Sequence, residues 1–210
     1  MAIELLNCDC MDYMREQPSS AFHLAICDPP YGLGDRIVDG GMHKKQGRLT
    51  ASSYKGKTWD KPPTDEYFNE LFRVSKNQII WGGNYFRLPP SRGFLIWDKH
   101  QPLETYSFGE FAWTSFDCPA KKLDLMYTNF VGGDSAKIHP TQKPVKLYQW
   151  LLKNYAKEGD RILDTHLGSG SSAIAAHYGG FDFVGCELDE DYYKEACARF
   201  ENETKQETLF

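Results

Sequence analysis

The sequence predicts an α/β fold in which helices flank a central sheet. Short apolar runs of strand length alternate along the chain with segments that have helical periodicity. In the last third a strand, a glycine turn and a helix follow one another regularly. The 210 residues suffice for one domain that carries a modest insertion.

The composition is that of a soluble globular protein. Hydrophobic residues make up 41% of the chain and charged residues 25%, which argues against disorder. There is no long uncharged apolar run to cross a membrane, and the N-terminus lacks the basic start and apolar stretch of a signal peptide. We therefore expect a cytoplasmic protein with no membrane partner.

The cysteines and histidines predict no metal centre. The six cysteines are scattered, and no two of them form the CxxC pair that begins a zinc site. His23, His43 and His100 lack the spacing of a metal site or of a catalytic triad. We expect the cysteines to be reduced, partly buried thiols.

The individual elements follow from local patterns of apolar residues and turn residues. Strands are expected at residues 3–7, 22–27, 78–81, 94–97 and 110–116, and helices at 9–17, at 65–76 and from Pro144, the predicted first helical residue, to Tyr155. Residues 117–138 have no clear period. The last third contains strands at 161–164 and 181–187, a turn at 165–172, a helix at 173–178 and a helix from Asp189 that buries Tyr192, Tyr193, Ala196, Cys197 and Phe200.

A basic, glycine-containing segment interrupts this alternation. The net charge of the whole chain is −5, yet residues 36–61 hold seven basic and two acidic residues, a local charge of +5 that leaves −10 for the remainder. One interpretation is a solvated flexible loop. The other is a mobile basic flap that engages phosphates.

The glycine turn at 168–170 predicts a nucleoside cofactor. Gly168 and Gly170 would let a ligand approach the backbone N–H groups at a helix start. Glu187 ends the next strand, where a carboxylate can bind a ribose diol. Position 173 is alanine, which departs from the dinucleotide pattern GxGxxG and favours S-adenosylmethionine over NAD.

Asp-Pro-Pro-Tyr at residues 28–31 follows an apolar strand directly and predicts a site for a planar base. The two prolines hold the backbone extended, so that the Asp28 carboxylate and the Pro29 carbonyl project as fixed acceptors. Tyr31 offers a flat ring beside them. Two acceptors and a stacking surface suit an exocyclic amine on a nucleobase.

His-Pro-Thr-Gln-Lys-Pro at residues 139–144 leads into a predicted helix. Polar residues around a helix N-terminus suit an anion such as a carboxylate. The plain alternative is a helix cap with a proline start.

Together with Asp-x-x-x-Gly-Ser-Gly-Ser from residue 164 and the strand that ends in Glu187, these motifs resemble the β-class amino-group DNA methyltransferases. The motif order is the circularly permuted one, with the catalytic half first, and the resemblance extends from Leu5 to about Phe200. It implies a Rossmann-like methyltransferase fold, a mixed seven-stranded sheet with helices on both faces. In this fold the first strand would lie beside the strand that ends in Glu187.

The resemblance also implies roles for single residues. The catalytic loop would consist of Asp28, Pro29, Pro30 and Tyr31. The S-adenosylmethionine site would consist of Asp9 and Cys10 near the adenine, Thr141, Lys143 and Pro144 over the methionine end, and Asp28, Asp164, His166, Gly168, Ser169, Gly170, Ser171 and Glu187. S-adenosylhomocysteine would be the product.

By the same resemblance, the substrate would be adenine N6 in double-stranded DNA, reached by base flipping and modified at a specific site, as in restriction–modification. Aspartate at position 28 favours adenine, where the cytosine-N4 enzymes usually have serine. The basic flap would bind DNA through Arg36, Lys44, Lys45, Arg48, Lys55 and Lys57. Because members of this class are often dimers, a homodimer is also implied.

Two features depart from the family pattern. The family's cofactor turn usually reads Asp-Pro-Phe-x-Gly-Ser-Gly, whereas this chain has Thr165 and His166, which would weaken cofactor binding. The chain is also short. We expect a single domain over 1–210, with a basic insertion at about 33–62 and a short target-recognition region at about 98–138.

Several alternatives stay open at this stage. One is methylation of cytosine N4 in DNA or of an amino group in RNA. Another is a DNA-binding module with a vestigial site, against which the intact residues 28–31 argue. The aromatic runs at 81–86 and 97–99 are expected to build the core and the pocket wall.

Overall fold

The computed structural model describes residues 1–32, 61–100, 107–126, 138–139 and 141–205. Within these ranges eight strands form one sheet: β1 (Ile3–Asn7), β2 (Phe22–Cys27), β3 (Ser75–Trp81), β4 (Phe94–Asp98), β5 (Gly109–Thr114), β6 (Lys121–Asp124), β7 (Arg161–Asp164) and β8 (Asp182–Glu187). The same ranges contain five α-helices: α1 (Cys10–Glu16), α2 (Asp65–Val74), α3 (Val145–Tyr155), α4 (Ser171–Gly179) and α5 (Glu190–Thr204).

The sheet has the order β1-β8-β7-β2-β3-β5-β4-β6 and is mixed. β5 is antiparallel to both of its neighbours, and every other neighbouring pair is parallel. The predicted neighbourhood of the first strand is confirmed, because Asn7 pairs with Glu187. Strand order reverses between β7 and β2, and in such sheets ligands bind at the carboxyl ends of the strands beside the reversal.

Helices cover both faces of the sheet, as predicted. Parallel strands buried on both sides read as continuous apolar runs, and β2 is buried at nearly every position. Leu24 and Ile26 face one core, which includes residues of α3, α4 and α5, whereas Ala25 and Cys27 face a second core with Met14 of α1 and Leu71 of α2. No helix in the described ranges combines the length and apolar character needed to cross a membrane.

The sheet has eight strands where seven were expected. The additional strand is β6, a four-residue strand that pairs with β4 at the edge of the sheet and lies in the stretch without a clear period. Its residues Lys121, Lys122 and Asp124 are exposed. Leu123 is its one residue that packs against the core, and a single apolar residue gives no alternation by which the sequence could reveal the strand.

Other boundaries shift by a few residues. α2 was expected to run to residue 76 but ends at Val74, and β3 begins at the next residue, where the Ser75 hydroxyl donates to the Leu71 carbonyl. Pro144 is the extended N-cap of α3 and not its first helical residue. In α5 the fully buried residues include Arg199, which the apolar stripe did not suggest.

Candidate active site

A pocket of about 770 Å³ opens at the carboxyl ends of β1, β8, β7 and β2. It is lined by residues from each of the three predicted motifs, although these are far apart in the chain. The predicted site residues on its wall are Asp9, Cys10, Asp28, Pro29, Pro30, Tyr31, Thr141, Lys143, His166, Gly168, Ser169 and Glu187. Pro144, Asp164, Gly170 and Ser171 do not line the pocket and lie behind this wall.

Within the catalytic loop, the side chain of Asp28 is held by its neighbours. The Tyr31 hydroxyl donates to Asp28 Oδ1 at 2.6 Å, and the Lys143 ammonium donates to Asp28 Oδ2. Burial raises the pKa of Tyr31 well above its usual value, and the Asp28 carboxylate adds to this effect. Tyr31 therefore stays a donor at neutral pH, and Asp28 keeps one orientation.

Aromatic residues from the loop after β3 position the ring of Tyr31. Tyr85 stacks on it with ring centroids 4.8 Å apart and planes 15° apart, and Phe86 contacts it edge-on at 6.1 Å. Gly82, at φ +67°, lies so close that a Cβ there would be 2.2 Å from the Tyr31 ring. Position 82 therefore needs glycine for two reasons: its backbone angle is positive, and the Tyr31 ring leaves no space for a Cβ.

Glu187 and the glycine turn form the opposite end of the pocket. The N–H of Gly168 donates to Glu187 Oε2 at 2.8 Å, and the N–H of Asp189 donates to Oε1 at 2.9 Å. Burial raises the pKa of Glu187. Both oxygens are fixed by backbone donors and retain lone pairs for a ligand's hydroxyl groups.

Behind the turn, Asp164 and Arg199 hold the backbone in place. Asp164 accepts from the Ser172 hydroxyl at 2.6 Å and from the His166 N–H at 3.0 Å, and burial raises the pKa of its carboxyl to about 7. Arg199 Nη1 donates to the Ser169 carbonyl at 3.0 Å. Helix α5 thus holds the backbone of the turn through Arg199.

Thr165 and His166, the two departures from the family turn, join a hydrogen-bonded group. The Thr165 hydroxyl is 2.6 Å from the Tyr67 hydroxyl and 2.9 Å from His166 Nδ1. Desolvation lowers the pKa of His166 to about 4, so its ring is neutral at physiological pH. The hydroxyl of Thr165 therefore has its hydrogen-bond partners within the protein.

The motif at 139–144 lies over both ends of the pocket. The His139 ring lies beside Gly168 and contacts Tyr192 edge-on at 4.4 Å. Its Nδ1 is 3.1 Å from the Thr141 hydroxyl. Lys143 contacts Asp28, and the expected position of this motif over the methionine end of a cofactor stays a prediction. Pro140 lies outside the described residues.

Several pocket residues were not singled out from the sequence. The sequence around Tyr67 and Tyr148 gave no indication of a functional role, because each belongs to the apolar, buried face of a helix. Glu110 is a single acid in a strand, and no local pattern indicates that it contacts Lys143. Tyr85 belongs to the aromatic run that was expected to build the pocket wall, and its stacking on Tyr31 is a contact between distant segments.

The predicted DNA-binding residues Arg36, Lys44, Lys45, Arg48, Lys55 and Lys57 lie outside the described residues. The two described ends of that segment lie at the pocket. Lys61 and Pro62 line it, and Gly32 lies against Pro62. The described residues on either side of positions 33–60, Gly32 and Lys61, therefore lie at or next to the candidate site.

Known proteins with similar sequences include a putative methylase and a type II methyltransferase. "Putative methylase YubD" of Escherichia coli K12 is 28% identical over 207 residues, which cover 89% of this chain and 85% of the relative. The type II methyltransferase M2.DpnII of Streptococcus pneumoniae is 25% identical over 248 residues, which cover 96% and 90%.

Solved structures show the same fold. The complex of M1.HpyAVI with SAM superimposes with a TM-score of 0.57 at 18% identity, covering 94% of this chain and 99% of that one. The cytosine-N4-specific PvuII DNA methyltransferase gives a TM-score of 0.61 at 13% identity, covering 100% and 89%. The family model described as DNA methylase matches residues 80–198, more than half of the sequence, and the chain therefore belongs to the N6/N4 DNA methylase family.

Proposed function

We propose that this DNA methyltransferase transfers a methyl group from S-adenosylmethionine to the N6 amino group of adenine, with S-adenosylhomocysteine as product. The observation that carries the proposal is that one pocket contains both the Asp-Pro-Pro-Tyr loop and the glycine turn with Glu187. A loop that can bind an amine and a turn that can bind a nucleoside cofactor share one pocket, which supports transfer of a methyl group from the cofactor to the amine.

The donor groups of the pocket fit this cofactor. Glu187, fixed by two backbone N–H groups, suits the ribose hydroxyls, and Asp9 and Cys10 suit the adenine end. His166, Gly168 and Ser169 suit the remainder of the molecule. A relative of the same fold is crystallised with SAM. S-adenosylmethionine, when bound, supplies a sulfonium methyl group: the amine lone pair forms the new bond to that carbon, and the electron pair of the broken S–C bond stays on sulfur.

In the proposed mechanism, the catalytic loop orients the amine and does not deprotonate it beforehand. Asp28 and the Pro29 carbonyl accept its two hydrogens, which directs the nitrogen lone pair toward the cofactor end of the pocket. A carboxylate has about four acceptor positions, so Asp28 can keep Tyr31 and Lys143 as donors while it binds the amine. The surplus proton of the product leaves to water.

The base must leave the duplex to enter the pocket, which costs a few kcal/mol. Stacking on an aromatic side chain returns about 1–3 kcal/mol. Tyr31, itself supported by Tyr85, offers that surface. Adenine is favoured over cytosine by the aspartate at position 28, and the PvuII enzyme shows that the fold accommodates cytosine-N4 specificity as well.

DNA contact is assigned to the basic residues between 33 and 62 within a single domain of residues 1–210. The predicted recognition region at 98–138 contains the sheet strands β5 and β6. Recognition is proposed for residues of the 98–138 region, of which 101–106 and 127–137 lie outside the described ranges. A homodimer and a cytoplasmic location complete the proposal.

The product identifies the target base. We incubate the protein with labelled S-adenosylmethionine and duplex DNA and analyse the nucleosides of the DNA. The expected labelled product is N6-methyldeoxyadenosine. N4-methylcytosine would refute the adenine assignment alone. Methylated RNA with unmodified DNA, or cofactor binding without any transfer, would refute the proposed reaction.

Asp28→Ala tests the catalytic loop. Loss of the acceptor should lower the transfer rate at least about 100-fold, because the amine is no longer oriented. The dissociation constant for S-adenosylmethionine should change little, since Lys143 keeps Glu110 as a partner. Asp117→Ala, at an exposed aspartate paired with Arg92, is the matched control. A normal rate in Asp28→Ala would show that the carboxylate has no role in transfer.

The basic segment predicts the salt dependence of DNA binding. Replacing Lys44, Lys45 and Arg48 together by alanine should reduce the slope of log K against log salt by about one for each phosphate that is no longer neutralised. Replacing the exposed Lys76, Lys153 and Lys157 is the control. Equal slopes in both variants would assign DNA binding to another surface.

His166→Phe restores the residue usual in the family. An aromatic contact is worth about 0.5–1.5 kcal/mol, so the dissociation constant for the cofactor should fall about 2- to 13-fold. In the wild type the unfolded chain binds a proton at His166 below its ordinary pKa of 6.5, whereas the folded chain does so only near 4. Wild-type stability is therefore lost as pH falls from 6.5 toward 4, and urea unfolding of the variant should show a smaller loss. Identical affinities and identical pH profiles would contradict both expectations.

A further inference from the structure

Four side chains of alternating charge form a row of spatial contacts that begins at the catalytic loop. In order along the row they are Asp28, Lys143, Glu110 and Lys99, here termed the charge chain. Lys143 Nζ contacts Asp28 Oδ2 and lies 3.0 Å from Glu110 Oε2. Lys99 Nζ contacts Glu110 Oε1. Glu110 thus bridges two lysines, one of which holds the proposed amine acceptor.

Two indole rings enclose the lysines of the charge chain. Lys143 Nζ is 5.5 Å from the ring centroid of Trp81, and Lys99 Nζ is 5.1 Å from that of Trp97. The two rings contact each other edge-on at 6.4 Å, and both residues are buried. The Lys143 side chain is only 3% exposed. Cation–π contacts and the exclusion of water hold the ammonium groups at fixed positions.

Both partners in the middle of the charge chain are ionised. Burial raises the pKa of Glu110, but Lys143 and Lys99 lower it more, and the net value is about 2. Burial lowers the pKa of Lys143, but Asp28 and Glu110 raise it above its ordinary value. Two carboxylates and two ammonium groups then sum to zero charge.

We propose that Glu110 is a positioning residue for methyl transfer, acting through Lys143. It fixes the Lys143 ammonium so that Asp28 meets the amine in one orientation, and it balances the charge of that ammonium beside the reacting nitrogen. This inference rests on the proposed function. Positive charge develops on the amine nitrogen during transfer, and an unbalanced Lys143 would oppose it.

Glu110→Gln removes the charge at nearly constant size. We expect the rate of single-turnover transfer to fall by about 10- to 100-fold. A loss of this size is typical for residues that orient a site residue without touching the substrate. The dissociation constant for S-adenosylmethionine, measured by equilibrium dialysis, should stay within about twofold, because the change acts on the amine end of the pocket. An unchanged kcat would overturn the inference.

A second substitution separates charge from packing. Adding Lys99→Met to Glu110→Gln returns the charge chain to zero, and we expect recovery of kcat by about threefold or more over Glu110→Gln. If Glu110 served only to fill space, the double variant would be slower than the single one, and the charge-balance role would be wrong. Lys122→Met is the matched control, since Lys122 also lies between two carboxylates, Asp98 and Asp124, but outside the pocket.

The outcomes distinguish this inference from the proposed function. A wild-type protein that transfers no methyl group to DNA refutes the function and the inference with it. Normal wild-type transfer with an unaffected Glu110→Gln refutes the inference alone. Should Glu110→Gln not fold, Glu110→Asp keeps the charge but shortens the reach to Lys143. The same fall in kcat at an unchanged dissociation constant is then expected, and wild-type kcat would overturn the inference.

Discussion

The parallel pairing of β2 with β7 is the constraint on which the site depends. Leu24 pairs with Ile162 and Ala25 with Leu163, at the centre of the sheet and at the reversal of strand order. Because the two strands run in the same direction, the loops that follow them emerge at the same edge. One loop is Asp-Pro-Pro-Tyr and the other is the glycine turn. The buried, doubly covered β2 strand makes this pairing difficult to shift, since a slip of one residue would turn its apolar side chains to the wrong faces.

The motif at 139–144 has a structural reason to accompany the other two. It brings Lys143 to Asp28 from the start of α3, while His139 lies beside Gly168. One short segment therefore contacts both ends of the pocket. Burying an ammonium is costly unless it is paired on all sides, and Asp28 and Glu110 together provide that pairing. The Asp-Pro-Pro-Tyr loop and the glycine turn are thus linked through a third segment as well as through the sheet.

The turn at 164–170 shows how the chain accommodates its own departures from the family pattern. Thr165 has its hydroxyl within hydrogen-bond distance of Tyr67 and His166, so this buried polar group is satisfied. His166 stays neutral because desolvation disfavours its charged form. Thr165 and His166 both line the pocket, and they make this part of its wall polar where the family pattern has proline and phenylalanine.

Local sequence determined most of the elements and the three motifs. Apolar period, glycine turns and cap residues act within a few positions, and Asp9 and Asp189 cap α1 and α5 where a helix start was expected. These signals predicted an α/β sheet and the residue types of the site, and the resemblance to the family implied helices on both faces. The short polar strand β6 was missed because Leu123 is its one residue that packs against the core, which gives no apolar alternation.

Only the tertiary structure decided which of those residues touch. Tyr85 on Tyr31, Glu110 on Lys143 and Lys143 on Asp28 are contacts between segments far apart in the chain. The local sequence accounts for the element in which each of these residues lies, whether a strand, a loop or a helix start, but not for its contact. Periodicity specifies the face of an element on which a side chain lies. The distance between side chains of different elements is set by strand order and packing, which no local pattern encodes.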